Sequence, residues 1–115
     1  MAINLPQKTE KAIPGGTAIL VEPSSGKEMR AAVVTIDGQY PEVGNVGINV
    51  GKTEMVFVVE GAIDVTKGDE LISLNMHDIL YLEAGIPYSI SGKATVLVAI
   101  APGDAPSTKI VSKDE

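Results

Sequence analysis

Hydrophobic residues follow a short, strand-like rhythm along most of the chain. Short apolar or alternating runs rich in Val and Ile are separated by Gly, Pro, Asn, Asp or Ser. Runs of this kind are typical of an all-β sandwich or barrel, and no segment has the 3.6-residue period of a long helix. The pattern predicts strands over residues 17–21, 30–37, 46–50, 54–59, 62–66, 70–74, 79–82, 87–90 and 94–101.

Two of these predicted strands are apolar on both faces. Residues 55–59 read Met-Val-Phe-Val-Val, and residues 96–100 read Val-Leu-Val-Ala-Ile. A strand with one side in solvent alternates apolar and polar residues, so the outer side of these strands needs a cover. The cover is either the chain's own N-terminal arm or a second copy of the chain, and we expect a homodimer.

The chain is expected to form one domain with two polar ends. Its 115 residues suit a single folded unit. We place an N-terminal arm at residues 1–16, a barrel at 17–102 and a polar C-terminal tail at 103–115. Both ends contain proline and charged residues, and we expect them to be extended or frayed.

Composition and charge exclude several classes of function. The chain has no cysteine, which excludes disulfides, thiolate nucleophiles and thiolate metal sites. The net charge is −6, and Lys and Arg form no basic stripe for a nucleic acid. No apolar run approaches the roughly 18–20 residues of a membrane helix, and residues 1–16 lack the apolar stretch of a signal peptide. We expect a cytoplasmic protein without nucleic-acid or membrane partners.

Two short motifs resemble the signature motifs of the cupin superfamily. Glu54 and Gly61 have the spacing of the Glu and Gly that end the first cupin motif, and Gly85 takes the Gly of the second. The resemblance implies an all-β fold with a single cupin barrel, that is, a jelly roll or double-stranded β-helix. The chain is similar to small single-domain cupins, but it lacks the histidines that hold the cupin metal.

The motif spacing locates these missing histidines. In the first motif they fall on Gly47 and Asn49, or with a shorter gap on residues 48 and 50, and in the second motif on Tyr88. Cupin metals are usually held by imidazoles and a carboxylate, and this chain keeps only Glu54 of that set. The resemblance therefore implies a metal-independent barrel, with no metal and no cofactor.

Polar side chains at and near the motif positions are the candidates for ligand contacts. We expect Asn49, Glu54, Tyr88, Tyr40 and Glu83 to bind a ligand at the barrel mouth. Glu54 and Tyr88 are also the candidate catalytic residues, because a carboxyl group buried among Val and Ile is suited to acid–base chemistry. The alternative is that Glu54 is a structural residue and that Tyr88 caps the barrel mouth.

Two further features are assigned no function. His77, the only histidine, lies in a turn at residues 75–78, and we expect it to be exposed with a left-handed backbone. Residues 51–53, Gly-Lys-Thr, resemble the end of a phosphate-binding loop. A strand rather than a helix follows them, so we expect a hairpin turn there.

The leading functional hypothesis is a metal-independent cupin-fold protein that binds a small polar metabolite in the barrel. The resemblance suggests sugars, nucleosides and small carboxylates as ligand classes. One alternative is a small cupin enzyme, an isomerase or epimerase or a nucleoside phosphorylase-like protein, that uses Glu54 and Tyr88. Another is a non-catalytic barrel that serves assembly, as the chain is also similar to the cupin portion of ethanolamine-utilisation proteins. Fold alone does not decide among these hypotheses.

Overall fold

The computed structural model describes residues 7–22 and 28–113, and its strands all pair antiparallel. Nine strands run through these residues: β1 Gln7–Ile13, β2 Gly16–Glu22, β3 Arg30–Tyr40, β4 Asn45–Ile48, β5 Thr53–Lys67, β6 Glu70–Leu74, β7 Ile79–Leu82, β8 Tyr88–Ala101 and β9 Lys109–Ser112. The predicted all-β class is confirmed. The described residues contain no helix long and apolar enough to cross a membrane.

The strands form one curled sheet with β8 at its centre. The hydrogen-bonded order is β1-β2-β3-β8-β4-β9, and β5 pairs with β6, β7 and β8. β8 pairs with β3 on one side and along its whole length with β5 on the other. The inner side chains of β3, β8 and β5 therefore face one shared interior.

β5 and β8 each join two segments that the sequence pattern predicts as separate strands. Gly61 lies within β5 and Gly92 within β8, with positive φ values of 86° and 137°. A Cβ atom at Gly61 would lie 2.8 Å from the Ala94 Cα atom of β8. Glycine is needed because the two strands bend here and approach each other closely, next to a bulge between Val58 and Glu60. The predicted turns are bends within continuous strands.

The sheet reaches beyond the expected barrel boundaries at both ends. Residues 7–13 of the expected arm form β1, which pairs with β2 along its full length. Residues 109–112 of the expected tail form β9, which pairs with β4. Both are edge strands rich in polar residues, which natural sheets use at exposed edges and which weaken the hydrophobic signal. β1 extends the sheet sideways, and residues 1–6 of the arm lie outside the described residues.

The inner face of the sheet forms an aliphatic core. In β5 the buried positions are 54, 56 and 58 before the bulge and 63 and 65 after it. The bulge thus changes the phase of the two-residue period, so that side chains before and after it face the same interior. The core cluster consists of Ile36, Val56, Val58, Ile63, Val65, Leu74, Leu82, Tyr88, Ile90, Ala94 and Val96.

The outer face opposite this core is apolar over β7, β5, β8, β3 and β2. The strand registers place Ile79, Phe57, Leu97, Val33 and Ile19 in one row across the five strands. A second row two residues away in register consists of Tyr81, Met55, Ala99 and Ala31. We call these nine residues the outer apolar face. Ile79 and Tyr81 are 52% and 55% exposed.

Candidate functional site

An apolar cavity lies between the inner faces of β2, β3, β5 and β8. Its volume is ≈ 160 Å³, and aliphatic side chains form most of its wall. The polar side chains among the described lining residues are Lys11, Tyr40, Glu54, Tyr88 and Thr108. Since a water molecule occupies about 30 Å³ of liquid, the cavity has room for several waters or a small ligand.

A buried carboxyl–phenol pair is the central feature of this cavity. Tyr88 starts β8 and is 3% exposed, and Glu54 near the start of β5 is 8% exposed. The Tyr88 hydroxyl donates a hydrogen bond of 3.4 Å to Glu54 Oε1. This distance is long for an O–H···O hydrogen bond, so a polar ligand group can compete for either partner. Tyr40, from the end of β3, adds a second phenol to the cavity lining.

Both phenols are protonated at neutral pH. Burial raises the pKa of Tyr88 above its ordinary value of 10.0, and the nearby Glu54 carboxylate raises it further. The pKa of Tyr40 is raised by burial and then by the same carboxylate. A charged phenolate would lose hydration and face a negative neighbour, which is the physical cause of both shifts. The pair Glu54–Tyr88 therefore combines a hydrogen-bond acceptor with a donor that keeps its proton.

Gly47 explains why a tyrosine is accommodated where the cupin motif has a histidine. Gly47 and Tyr88 are Cα partners between β4 and β8. A Cβ atom at Gly47 would lie 2.9 Å from the Tyr88 Cζ atom and 3.1 Å from its hydroxyl oxygen. The tyrosine ring occupies the space that a side chain at position 47 would need. A side chain at position 47 and the Tyr88 ring therefore cannot both be present without a shift of one of them.

Asn49 is buried, but it does not line the cavity as we expected. It is 1% exposed, and its amide Nδ2 donates a hydrogen bond of 3.1 Å to the Leu82 carbonyl. Its Oδ1 accepts a hydrogen bond of 2.8 Å from the Thr108 hydroxyl, and its backbone carbonyl accepts one from the Gly85 N–H. The Asn49 amide is therefore engaged in joining β7, β4 and the segment before β9. Its effect on the site is to position Thr108, which does line the cavity.

Glu83 lies away from the cavity, contrary to our expectation. Its side chain is 48% exposed and accepts a hydrogen bond of 2.7 Å from the Lys67 ammonium group. That hydrogen bond lowers the pKa of Glu83 below its ordinary value. Glu83 follows β7, where the chain has left the barrel interior, and the motif position alone could not reveal this.

The structure confirms the expectation for His77. The residue is exposed, has a φ of 72°, and lies in the turn between β6 and β7. Its ring stacks on Phe57 with centroids 5.7 Å apart, on the outer side of β5. The imidazole is therefore remote from the cavity lining. Residues 51 and 52 connect β4 to β5, which do not pair, so the expected hairpin is a simple connection.

Four polar residues at the site were not identified from the sequence: Lys11, Arg30, Lys52 and Thr108. They come from β1, β3, the β4–β5 connection and the segment before β9, and each lines the cavity or its opening. Of these four residues, Lys52 alone could have been suspected from the sequence, since it lies only two residues before Glu54. No comparable signal marks the other three, because only strand pairing brings them near Glu54.

The donor set does not fit a transition-metal centre. Within residues 7–22 and 28–113, no three His, Cys, Asp or Glu side chains are grouped so that they could hold a metal ion. Of the described residues that line the cavity, Glu54 alone supplies a carboxylate, and its polar neighbours include neutral phenols and a hydroxyl. Imidazole and carboxylate, rather than neutral phenol, are the usual ligands of such metals. Metal independence stays a prediction, and no chemistry is assigned to a metal.

Comparison with known proteins supports the fold but not a close relationship. No family model matches the chain, and no curated protein sequence matches it. Among solved structures, a variant of Streptomyces PAC13 with uridine has a TM-score of 0.82 at 13% identity. The alignment covers 97% of this chain and 93% of that chain. Pac13 is described as a nucleoside dehydratase with a β-barrel.

Two oxalate decarboxylases are also similar in structure. The Bacillus subtilis enzyme has a TM-score of 0.78 at 18% identity, and the alignment covers 96% of this chain and 33% of that one. For the Lactobacillus farciminis enzyme in its formate complex, the TM-score is 0.76 at 18% identity, with 96% and 37% covered. The chain thus spans about a third of the length of these decarboxylases. At 13–18% identity these likenesses show the fold alone: the chain is an all-β curled sheet similar in fold to the barrels of these proteins, as the resemblance in the two motifs led us to expect.

Proposed function

We propose that this protein binds a small polar metabolite inside the barrel. The observation that carries the proposal is the Glu54–Tyr88 pair, which is buried in a largely aliphatic cavity with space left for a ligand. A few polar groups in an apolar cavity are characteristic of small-molecule sites. A barrel that served assembly alone would have no need of this space. The proposed ligand contacts are Glu54, Tyr88 and Tyr40.

Nucleosides are the first ligand class to test, followed by sugars and small carboxylates. Pac13, described as a nucleoside dehydratase, aligns over nearly the whole of both chains, and one solved structure is of a tyrosine variant with uridine. At 13% identity this similarity supports a choice of test compounds and no more. We further propose a cytoplasmic location, in agreement with the composition.

A thermal-shift panel with site variants tests this proposal. A ligand that binds only the folded protein stabilises it by about 2.7 kcal/mol at one hundred times its dissociation constant. We expect one of the nucleosides, sugars or organic acids to raise the melting temperature of the wild type, and Glu54→Gln or Tyr88→Phe to reduce the shift. Glu83→Gln is the matched control, since Glu83 is exposed and remote from the cavity. A flat response to every compound would contradict the proposal.

The hydrogen-bonded pair also favours a second candidate function, acid–base catalysis. The Glu54 carboxylate is able to take a proton from a bound ligand, and the protonated Tyr88 is able to give one. Such a pair suits the proton transfers of an isomerase, an epimerase or a dehydratase, and in a phosphorylase-like enzyme it would assist departure of the leaving group. Mass spectrometry of uridine and other bound compounds after incubation tests this candidate. Turnover that Tyr88→Phe removes while binding persists would support it, and binding without turnover would exclude it for the compounds tested.

We also propose that a second copy of the chain covers the outer apolar face. Five strands at about 4.8 Å spacing make this face roughly 20 Å wide, and its nine residues carry no charge. An uncharged contact surface lets two chains of net charge −6 approach without repulsion at the interface.

Light scattering with size-exclusion chromatography tests the homodimer. We expect a dimer for the wild type and a monomer for Tyr81→Lys, because Tyr81 is 55% exposed and lies in this face. Leu71→Lys is the control, since Leu71 is 72% exposed on β6 and lies outside it. A wild-type monomer, or equal effects of both variants, would rule out this interface.

A further inference from the structure

A second, more polar cavity adjoins the apolar one. Its volume is ≈ 360 Å³, and it shares with the apolar cavity the lining residues Lys11, Tyr40, Glu54, Ile100 and Thr108. The two cavities therefore adjoin each other along these five residues, and we call the polar cavity the mouth. The volume of the mouth alone lies within the roughly 300–1,000 Å³ of small-molecule sites.

The mouth has an excess of positive charge. Among the described residues that line it, the charged side chains are Lys11, Arg30, Lys52 and Glu54. Three cations thus face one carboxylate, in a chain whose net charge is −6. Glu42 lies in a neighbouring depression that also includes Lys11, and it does not line the mouth. A concave opening with one prevailing sign of charge concentrates ions of the opposite sign.

Lys52 is the most unusual of the three cations. It is 5% exposed, and no hydrogen bond or ion pair engages its ammonium group within residues 7–22 and 28–113. Burial lowers the pKa of Lys52, the Glu54 carboxylate opposes that change, and the charge of Arg30 adds to it. The ammonium nitrogen is not a buried atom without a partner: it opens onto the mouth, beside the Glu54 carboxylate. It is therefore placed to attract an anion in the mouth.

We propose that the mouth binds a small oxyanion, phosphate or carboxylate, against Lys11, Arg30 and Lys52. The neutral part of the ligand would then lie in the apolar cavity beside Glu54 and Tyr88, and this second half of the inference rests on the proposed function. The oxyanion is either a group of the ligand itself or a free ion bound next to a neutral ligand. The shared chemistry is charge-assisted hydrogen bonding to ammonium and guanidinium groups.

NMR titration with simple ions tests the anion site without any assumption about the metabolite. Inorganic phosphate and acetate are added separately, with chloride at matched ionic strength as the reference. We expect saturable shifts of the backbone amides of residues 30, 52, 54 and 108 with at least one of the two oxyanions. Shifts that do not saturate, or that match those of chloride, would overturn the proposal.

Charge-neutral variants locate the site. We expect Lys52→Met to weaken the apparent affinity for the oxyanion by about tenfold or more, the loss of one charge-assisted contact. Arg30→Gln is a second variant in case Lys52→Met alters the connection before β5. Lys93→Met is the matched control, because Lys93 is exposed on β8 and does not line the mouth. Equal effects of Lys52→Met and Lys93→Met would contradict a built site.

Calorimetry with uridine, uridine 5′-monophosphate and uridine plus inorganic phosphate separates this inference from the proposed function. Tighter binding of the monophosphate means that the oxyanion belongs to the ligand, and tighter uridine binding with added phosphate means a free ion. If phosphate saturates the mouth but no uridine compound binds, the oxyanion site stands and the nucleoside proposal falls. If uridine binds as well as its monophosphate and phosphate has no effect, metabolite binding stands and the oxyanion site is refuted.

Discussion

The two halves of β5, on either side of Gly61, are built for different surroundings. In residues 53–59 the inner side chains of Glu54 and Val56 line the cavity, and the outer side chains are apolar, as at Phe57. In residues 60–67 the inner side chains are packed in the core and the outer ones are exposed and polar, as at Asp64. Burial of the inner side chains is similar in both halves. The outer face therefore distinguishes the part of the barrel wall that needs a cover from the part that faces solvent.

The largest expected effect comes from breaking the bend that joins the two halves. Gly61→Ala would place a Cβ atom 2.8 Å from the Ala94 Cα atom, at a residue whose φ is 86°. We therefore expect the free energy of unfolding to fall by more than about 4 kcal/mol, or the protein not to fold at all. Gly68→Ala is the control, with a φ of 58° but no contact closer than 3.7 Å. It should cost only about 1–2 kcal/mol. Urea unfolding measures the free energy of unfolding of both variants. Equal decreases for Gly61→Ala and Gly68→Ala would mean that the close approach of β5 and β8 at Gly61 is unimportant for stability.

Two neighbouring valines allow the inner and outer sides of the first half of β5 to be compared by substitution. Val58 is 0% exposed and Val59 is 41% exposed. We expect Val58→Ala to lower the free energy of unfolding by about 2 kcal/mol, because it leaves a cavity in the core. Val59→Ala should change it by less than about 0.5 kcal/mol. The same urea experiment checks this difference, and a larger loss at Val59 would show that its side is already covered in solution.

Tyr88 tests the link between the halves, since it pairs with Lys67 in the second half and its hydroxyl reaches Glu54 in the first. Its raised pKa means that the stability due to its neutral phenol is complete below about pH 10 and is lost as the pH rises further. We expect Tyr88→Phe to cost about 1 kcal/mol at neutral pH. The variant should also lose stability less steeply above about pH 10 than the wild type. Parallel alkaline unfolding curves would contradict this protonation state.

The smallest expected effect is at the exposed end of the second half, where Lys67 pairs with Glu83. The lowered pKa of Glu83 means that this pair stabilises the protein above the ordinary carboxyl pKa of 4.5 and ceases to do so as the pH falls through the folded-state value. Exposed ion pairs contribute little. We expect Glu83→Gln to lower the melting temperature slightly near pH 7 and not at all near pH 3. Calorimetry measures the melting temperature. A marked decrease in the melting temperature at both pH 7 and pH 3 would mean that Glu83 has another role.

Much of the fold could be predicted from the sequence, because strand periodicity and turn residues are local signals. The prediction separated β5 into two strands at Gly61 and β8 into two at Gly92, since a glycine that bends a strand looks like one that ends it. The edge strands β1 and β9 were missed because their polar residues carry no hydrophobic pattern. Glycine at these bends reflects close packing between strands, which no single segment reveals.

The candidate site was predicted less completely than the fold. Glu54, Tyr88 and Tyr40 were expected at the cavity and do line it. Asn49 and Glu83 were expected there too, but Asn49 is engaged by Leu82 and Thr108, and Glu83 has left the interior. Motif spacing gives a position along the chain, whereas the direction of a side chain depends on its hydrogen-bond partners and on the strand that it follows.

By itself, the sequence determined the all-β class, the cupin-like motif spacing and the absence of imidazoles at the motif positions. These are properties of residue identity and local period. Only the tertiary structure decided that Lys11, Arg30 and Lys52 converge on one opening around Glu54. Their convergence depends on the register between neighbouring strands, and a shift of one residue would turn every inner side chain to the outer face. Charge at the mouth is therefore a property of the fold that no segment of the chain carries alone.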